Sequence, residues 1–250
     1  MKRIVQALVL TGALVLAAAA HAVSPVATIR GDVALSSLST DGGGAPAGFD
    51  VHVAFSTDPP GAPPFTIQKA VIFFPDRAGT NGTLFRSCSA RQIERFHGAI
   101  RRCPKGSQIG RGTLRAQALQ LGVTATGRVT LFNGAHGRSV TFNIRTTNPA
   151  DINESIDAPL QKLRGSRYGE KLTLVVPHSL QEILTGVYVG LEDFDVTIDG
   201  AVTVDGVTHS YLRARACPRR PLHAVFDLED WTTGEAATAT ADTTVRCRDR

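Results

Sequence analysis

Phe49-Asp50-Val51-His52-Val53-Ala54-Phe55-Ser56 places a large apolar side chain at every second residue through four periods. An extended backbone turns successive side chains to opposite faces, so Phe49, Val51, Val53 and Phe55 share one face while Asp50, His52 and Ser56 share the other. Such a strand has one face for a core and one for water. The pattern recurs downstream. Val140, Phe142 and Ile144 alternate with Thr141, Asn143 and Arg145; Leu172, Leu174 and Val176 with Thr173 and Val175; Phe194, Val196 and Ile198 with Asp195 and Thr197. Strands with one apolar face bury it by packing sheet on sheet. The expected fold is all-β and mainly antiparallel, of β-sandwich or jelly-roll-like form.

Turn chemistry divides these strands. Asp199-Gly200 and Asp205-Gly206 are both favoured two-residue hairpin turns, and they bracket the short run from Ala201 to Val204. The Gly- and Pro-rich stretches Thr40 to Gly48 and Thr57 to Pro64 are expected to be long surface loops. Helix is confined to one or two short pieces. Ser89 followed by Gln92, and Ser179 followed by Glu182, have the spacing of capping boxes ahead of apolar residues. No repeat recurs at a fixed period, which argues against a solenoid or propeller.

The first 22 residues have the layout of an export signal. Lys2 and Arg3 lead an apolar run from Ile4 to Ala20, and Ala20-His21-Ala22 supplies a small-x-small cleavage site. Gln6, Thr11 and Gly12 interrupt the run, which disfavours a retained anchor. Cleavage after Ala22 leaves residues 23–250 as a single β-sandwich domain, or two packed sub-domains, that is not transmembrane after processing. The formal charge of the full chain is +5, and the leader takes two of its cations away. A mild total conceals a marked asymmetry. Eight Arg or Lys residues and one acid, Glu94, lie between Arg86 and Arg115, whereas Glu192 to Asp205 holds five acids and no base.

Four cysteines in an exported chain read as two disulfides, because the compartment is oxidising and the number is even. Three pairings are available. The sequential one, Cys88–Cys103 and Cys217–Cys247, closes the shortest loops, and each bridge is worth about 3 kcal/mol by chain entropy. A four-Cys metal site would need close C-x-x-C pairs, and these gaps are far longer. No metal or other cofactor is expected.

Motifs for catalysis are missing. No GxSxG pentapeptide occurs, and in Gly165-Ser166-Arg167-Tyr168-Gly169 the serine stands in the wrong place. His178 beside Ser179 is better explained as the start of a helix than as base and nucleophile, since adjacent side chains usually diverge. The run from Asp193 to Gly200 lacks EF-hand spacing and reads as the wet face of a strand. No catalytic residue can be named. With one Trp and three Tyr, the chain is also poorly equipped to bind sugars by stacking.

The basic segment carries the one candidate binding surface. Arg91, Arg95, Arg101, Arg102 and Lys105 lie within or beside the first proposed disulfide loop, which would present them on a fixed scaffold. An anionic envelope polymer or lipid headgroup is the partner such clustered charge attracts. Nucleic acid is disfavoured by the lack of interleaved aromatics.

Cys88 to Gly112, with Cys103-Pro104 followed by Ser107-Gln108-Ile109-Gly110-Arg111-Gly112, resembles a family of exported bacterial β-rich proteins in which a CP dipeptide precedes an S-x-[IV]-G-x-G turn. The likeness extends to Pro177 after the strand Leu172–Val176 and to a late Cys pair like Cys217 and Cys247. It implies an extracellular β-rich architecture and carries over no catalytic residue. Gly110 and Gly112 fit a tight start to a strand from Thr113 to Leu121, where positive φ or close backbone approach excludes a side chain.

These readings converge on a secreted or envelope-associated protein, a non-enzymatic binding or structural module. One alternative is a secreted hydrolase whose groups come from separated strands. A further alternative is a carrier of a small apolar ligand, which a cleft lined only by apolar and neutral groups would mark.

Overall fold

The computed structural model describes residues 23–35, 45–215 and 217–249. The expected export signal, residues 1–22, lies outside them. The first strands are β1 (Ser24–Leu35), β2 (Ala45–Asp58), β3 (Thr66–Pro75) and β4 (Ala78–Thr80), followed by helix α1 (Ala90–Arg95). Next come β5 (Gln108–Ala118), β6 (Val123–Asn133), β7 (Ser139–Thr146), β8 (Ile152–Lys162) and β9 (Tyr168–Val175). Helix α2 (His178–Gln181) leads into β10 (Glu182–Leu184), β11 (Val187–Ile198), β12 (Ala201–Val204), β13 (Val207–Ser210) and β14 (Leu212–Ala214). The chain closes with β15 (Leu222–Glu229), β16 (Ala236–Thr243) and β17 (Arg246–Asp249).

Fifteen of these strands belong to one sheet: twelve follow the path β16-β15-β3-β9-β8-β7-β6-β5-β11-β2-β1-β17, while β10 pairs with β11, and β14 with β2 and β4. Pairing along it is antiparallel except for β1 with β17. The sandwich-like packing arises because this one sheet curls back on itself. Ile29 and Val33 of β1 and Phe49 and Val53 of β2 meet Ala70 of β3, Phe226 of β15 and Ala239 of β16 in one buried cluster. Phe55 and Phe226 meet edge to face across this interface, with centroids 4.8 Å apart. A long, strongly twisted sheet can bury its apolar face by curling, with no second sheet required.

Both disulfides adopt the sequential pairing, with Cα separations of 5.6 Å for Cys88–Cys103 and 5.9 Å for Cys217–Cys247. The first closes a loop that lies against the outside of β7 and β8. Its helix begins with a complete capping box, in which Gln92 N–H donates to the Ser89 hydroxyl and Ser89 N–H donates to the Gln92 side chain. Asp157 of β8 accepts from Ala90 N–H at 3.0 Å. The loop explains why Thr141 and Asn143, expected on a wet face, are buried. Bridges of this kind persist in a non-reducing space outside the cytoplasm.

Several local expectations are corrected. Asp205 (φ 50°) and Gly206 (φ 78°) form the β12–β13 hairpin turn as read from sequence. Asp199-Gly200 does not make a hairpin, because its amides bond to Ile109 O and the chain leaves the sheet there. A Cβ on Gly200 would lie 2.6 Å from Ile109 Cα, so close approach is what requires glycine. Gly110 and Gly112 lie inside β5, which begins at Gln108, and they owe their place to close approach: a Cβ on Gly112 would collide with the Asp195 carbonyl. Pro177, and not Ser179, occupies the N-cap of α2; Ser179 reaches Glu154 at 3.5 Å, while Glu182 accepts from Gly186 N–H and pairs with His178. The stretch expected as a loop up to Gly48 already belongs to β2 from Ala45.

Candidate apolar binding cavity

Side-chain size along the inward faces of β5 and β6 decides where the interior is solid and where it is hollow. Toward one end these faces carry Ile109, Val129 and Leu131, which fill a buried cluster with Phe85, Val140, Ala158, Leu172 and Tyr211. Toward the other end they carry Ala116 and Ala118 on β5 and Ala125 on β6, with Ala116 directly opposite Ala125. Two facing methyl groups cannot span the width of a curled sheet. A cavity of about 170 Å³ remains.

The cavity wall is carbon almost throughout. Val53 and Phe55 come from β2, Ile72 from β3, Phe142 and Ile144 from β7, Leu172 and Leu174 from β9, and Leu191 and Phe194 from β11. Phe142 and Phe194 lie with ring centroids 6.4 Å apart. The end of the cavity is closed by Leu180 and Gln181 of α2, Ile183 of β10, and Pro149 in the turn after β7. Its two hydrogen-bonding side chains are already engaged: the Thr146 hydroxyl donates to Ala150 O at 2.8 Å, and the Gln181 amide donates to Val176 O at 2.7 Å. No Asp, Glu, His, Lys, Arg, Ser or Cys lines the space. The wall therefore offers shape and apolar contact, and no acid, base or nucleophile. An apolar cavity of this size class, about 150 Å³, stays dry and accepts a benzene-sized molecule.

Beside the closed end, the β5–β6 and β10–β11 tips are tied together by Leu119 N–H donating to Tyr188 O and Tyr188 N–H donating to the Gln120 side chain. Leu121, Val123 and Leu184 on these tips are exposed. The result is an apolar rim next to the α2 cap.

The sequence-derived binding residues lie elsewhere. Arg91, Arg95, Arg101, Arg102 and Lys105 are all exposed on the disulfide loop and its flank, and among the described residues none makes an ion pair. Asp193 and Asp195 occupy the outer face of β11 as expected. His52 approaches them at 3.9 Å and 2.9 Å, and Arg115 bonds Asp193 closely, which raises the affinity of the guanidinium for its proton. Among the described residues no group of three or more His, Cys, Asp or Glu is placed to hold a metal ion. No described helix is long and apolar enough to cross a membrane.

Two buried polar side chains sit near the solid end. The Tyr211 hydroxyl has no hydrogen-bond partner, and burial raises its pKa. Burial likewise holds the Glu170 carboxyl above the ordinary carboxylate range, against the opposing pull of Lys162 and Arg213. Neither lines the cavity. The cavity escaped motif reading because it is written in small residues, and the one available signal was alanine at inward positions 116 and 125 of β5 and β6. No protein-family model, curated protein or solved structure matches this chain.

Proposed function

We propose that this chain is an exported binding protein that holds a small apolar ligand inside its curled sheet. The observation that carries the reading is the cavity wall, assembled from eleven elements without one titratable side chain. Ligand sites of this kind draw affinity from apolar burial at about 25 cal/mol per Å², with few polar groups to fix orientation. The exposed apolar rim at Leu121, Val123 and Leu184 supports ligand passage at the capped end. The hydrolase alternative would need an acid, base or nucleophile at the bound molecule, and this wall supplies none.

The test uses the purified mature chain and benzene, followed by calorimetric titration, with solvent extraction and mass spectrometry of any co-purified molecule. Saturable binding is expected, together with its loss in Ala125→Leu, whose added atoms occupy the cavity. No saturable uptake by the native chain, or undiminished uptake by a folded Ala125→Leu, overturns the proposal.

A further inference from the structure

A transverse row of side chains crosses the outer face of the sheet, on the far side of the wall from the cavity. Cross-strand pairing sets the order Arg30, His52, Asp195, Thr113, Arg128, Arg145, Asn153, one residue from each of seven neighbouring strands. Arg128 and Arg145 are therefore directly opposite each other, with Cβ atoms about 5 Å apart by the geometry of antiparallel pairs. Arg111 and Arg115 lie two residues either side of Thr113, on the two diagonals from Arg128. Arg111, Arg115, Arg128 and Arg145 are thus near neighbours in the register of the outer wall, and all four residues are exposed. Among the described residues, Arg115 is the one of the four that makes an ion pair, with Asp193 and Glu192; Asp195, an acid of the row itself, bonds to His52. Like charges directly opposed on a sheet are destabilising unless something sits between them.

The surroundings suit an oxyanion. Thr113, Thr126, Arg128 and Arg145 supply hydroxyl and guanidinium donors to a shallow groove of about 820 Å³, which Asp193 and Asp195 also line, the first paired with Arg115 and the second bonded to His52. The row does not stop at Arg145. Its neighbour Asn153 donates to Gly98 O at 3.2 Å, which joins the groove to the disulfide loop. That loop carries Arg91, Arg95, Arg101 and Arg102 exposed and, among the described residues, without an ion-pair partner. Wall and loop together form one basic surface that is held rigid by the sheet and the Cys88–Cys103 bridge.

We propose that this surface binds a linear anionic polymer, with its oxyanion groups seated at Arg128 and Arg145 and its continuation running onto the disulfide loop. A polymer matches the observation that the cations are spread over two connected elements and not gathered at one point. Binding releases counterions and falls steeply with salt, in proportion to the number of charges neutralised. The site is independent of the apolar cavity, so either proposal can fail alone.

The experiment measures binding of polyphosphate to the mature chain at 50 mM and 200 mM salt, beside inorganic phosphate and phosphatidylglycerol vesicles at matched phosphate concentration. Polyphosphate is expected to bind at least about tenfold more tightly than either comparison, and more weakly at 200 mM salt. Arg128→Gln/Arg145→Gln is expected to weaken the polymer complex about tenfold with the thermal midpoint no lower than that of the native chain, and Arg128→Lys/Arg145→Lys to restore most of the binding. Absence of polymer binding at low salt, equal binding to vesicles or free phosphate, or full binding by the double Gln variant overturns the proposal.

Discussion

Ala116 and Ala125 stand directly opposite each other on β5 and β6, both turned to the interior, and both are nearly inaccessible to solvent. A pair of methyl groups faces a space whose other walls carry Phe55, Ile72, Phe142, Leu174 and Phe194. Enlarging either side chain should therefore exchange ligand capacity for packing. Ala125→Leu is expected to abolish probe uptake while changing stability by no more than about 1–3 kcal/mol, the usual range when methylenes are added to a core. Calorimetric titration with benzene beside denaturant unfolding reads both effects.

Gly112 has no such latitude. A Cβ there would press on the Asp195 carbonyl and Val196 Cα of the neighbouring strand. Gly112→Ala is expected to cost more than about 4 kcal/mol, among the largest losses from a single substitution. The midpoint of chemical denaturation measures it, and a loss below about 1 kcal/mol would show that β5 and β11 can separate without penalty.

The first disulfide closes a loop with a sequence separation of 15 and covers Thr141 and Asn143. Cys88→Ser/Cys103→Ser is expected to destabilise the chain by about 3 kcal/mol. Hydrogen exchange should accelerate at α1 and on the outer face of β7 before it does in β5 or β6. Unchanged exchange in β7 would mean that the loop stays docked without its bridge.

Glu170 supplies a dependence on pH. Its carboxyl is held above the ordinary range by burial, so the folded chain binds this proton more tightly than the unfolded chain does. Stability from this group is present at low pH and declines as pH rises through its raised pKa. Glu170→Gln removes the titration. The difference in melting temperature, variant minus native, is expected to grow in favour of the variant from pH 4 to pH 7, and a constant difference would show that Lys162 and Arg213 fully compensate.

Much of the strand content was legible because a period of two survives any tertiary arrangement: Phe49 to Phe55, Val140 to Ile144 and Phe194 to Ile198 all present their apolar residues inward. The capping box at Ser89 and Gln92 and the hairpin turn at Asp205-Gly206 were legible for a similar reason, since each is satisfied within a few residues. The Asp199-Gly200 turn misled. Its amides are claimed by Ile109, about ninety positions earlier in the chain, and no local rule anticipates that partner.

What the amino-acid order determined by itself was the alternation of faces, the local turns and caps, and the economy of pairing each cysteine with its nearest partner. Only the tertiary structure decided that one sheet curls to supply both layers, that Ala116 and Ala125 align to leave a hollow, and that Arg128 meets Arg145 across a strand boundary. The physical reason is range. Alternation and turn preference act between residues a few bonds apart, whereas a cavity and a charge cluster are sums over strands whose register is set when distant segments pair.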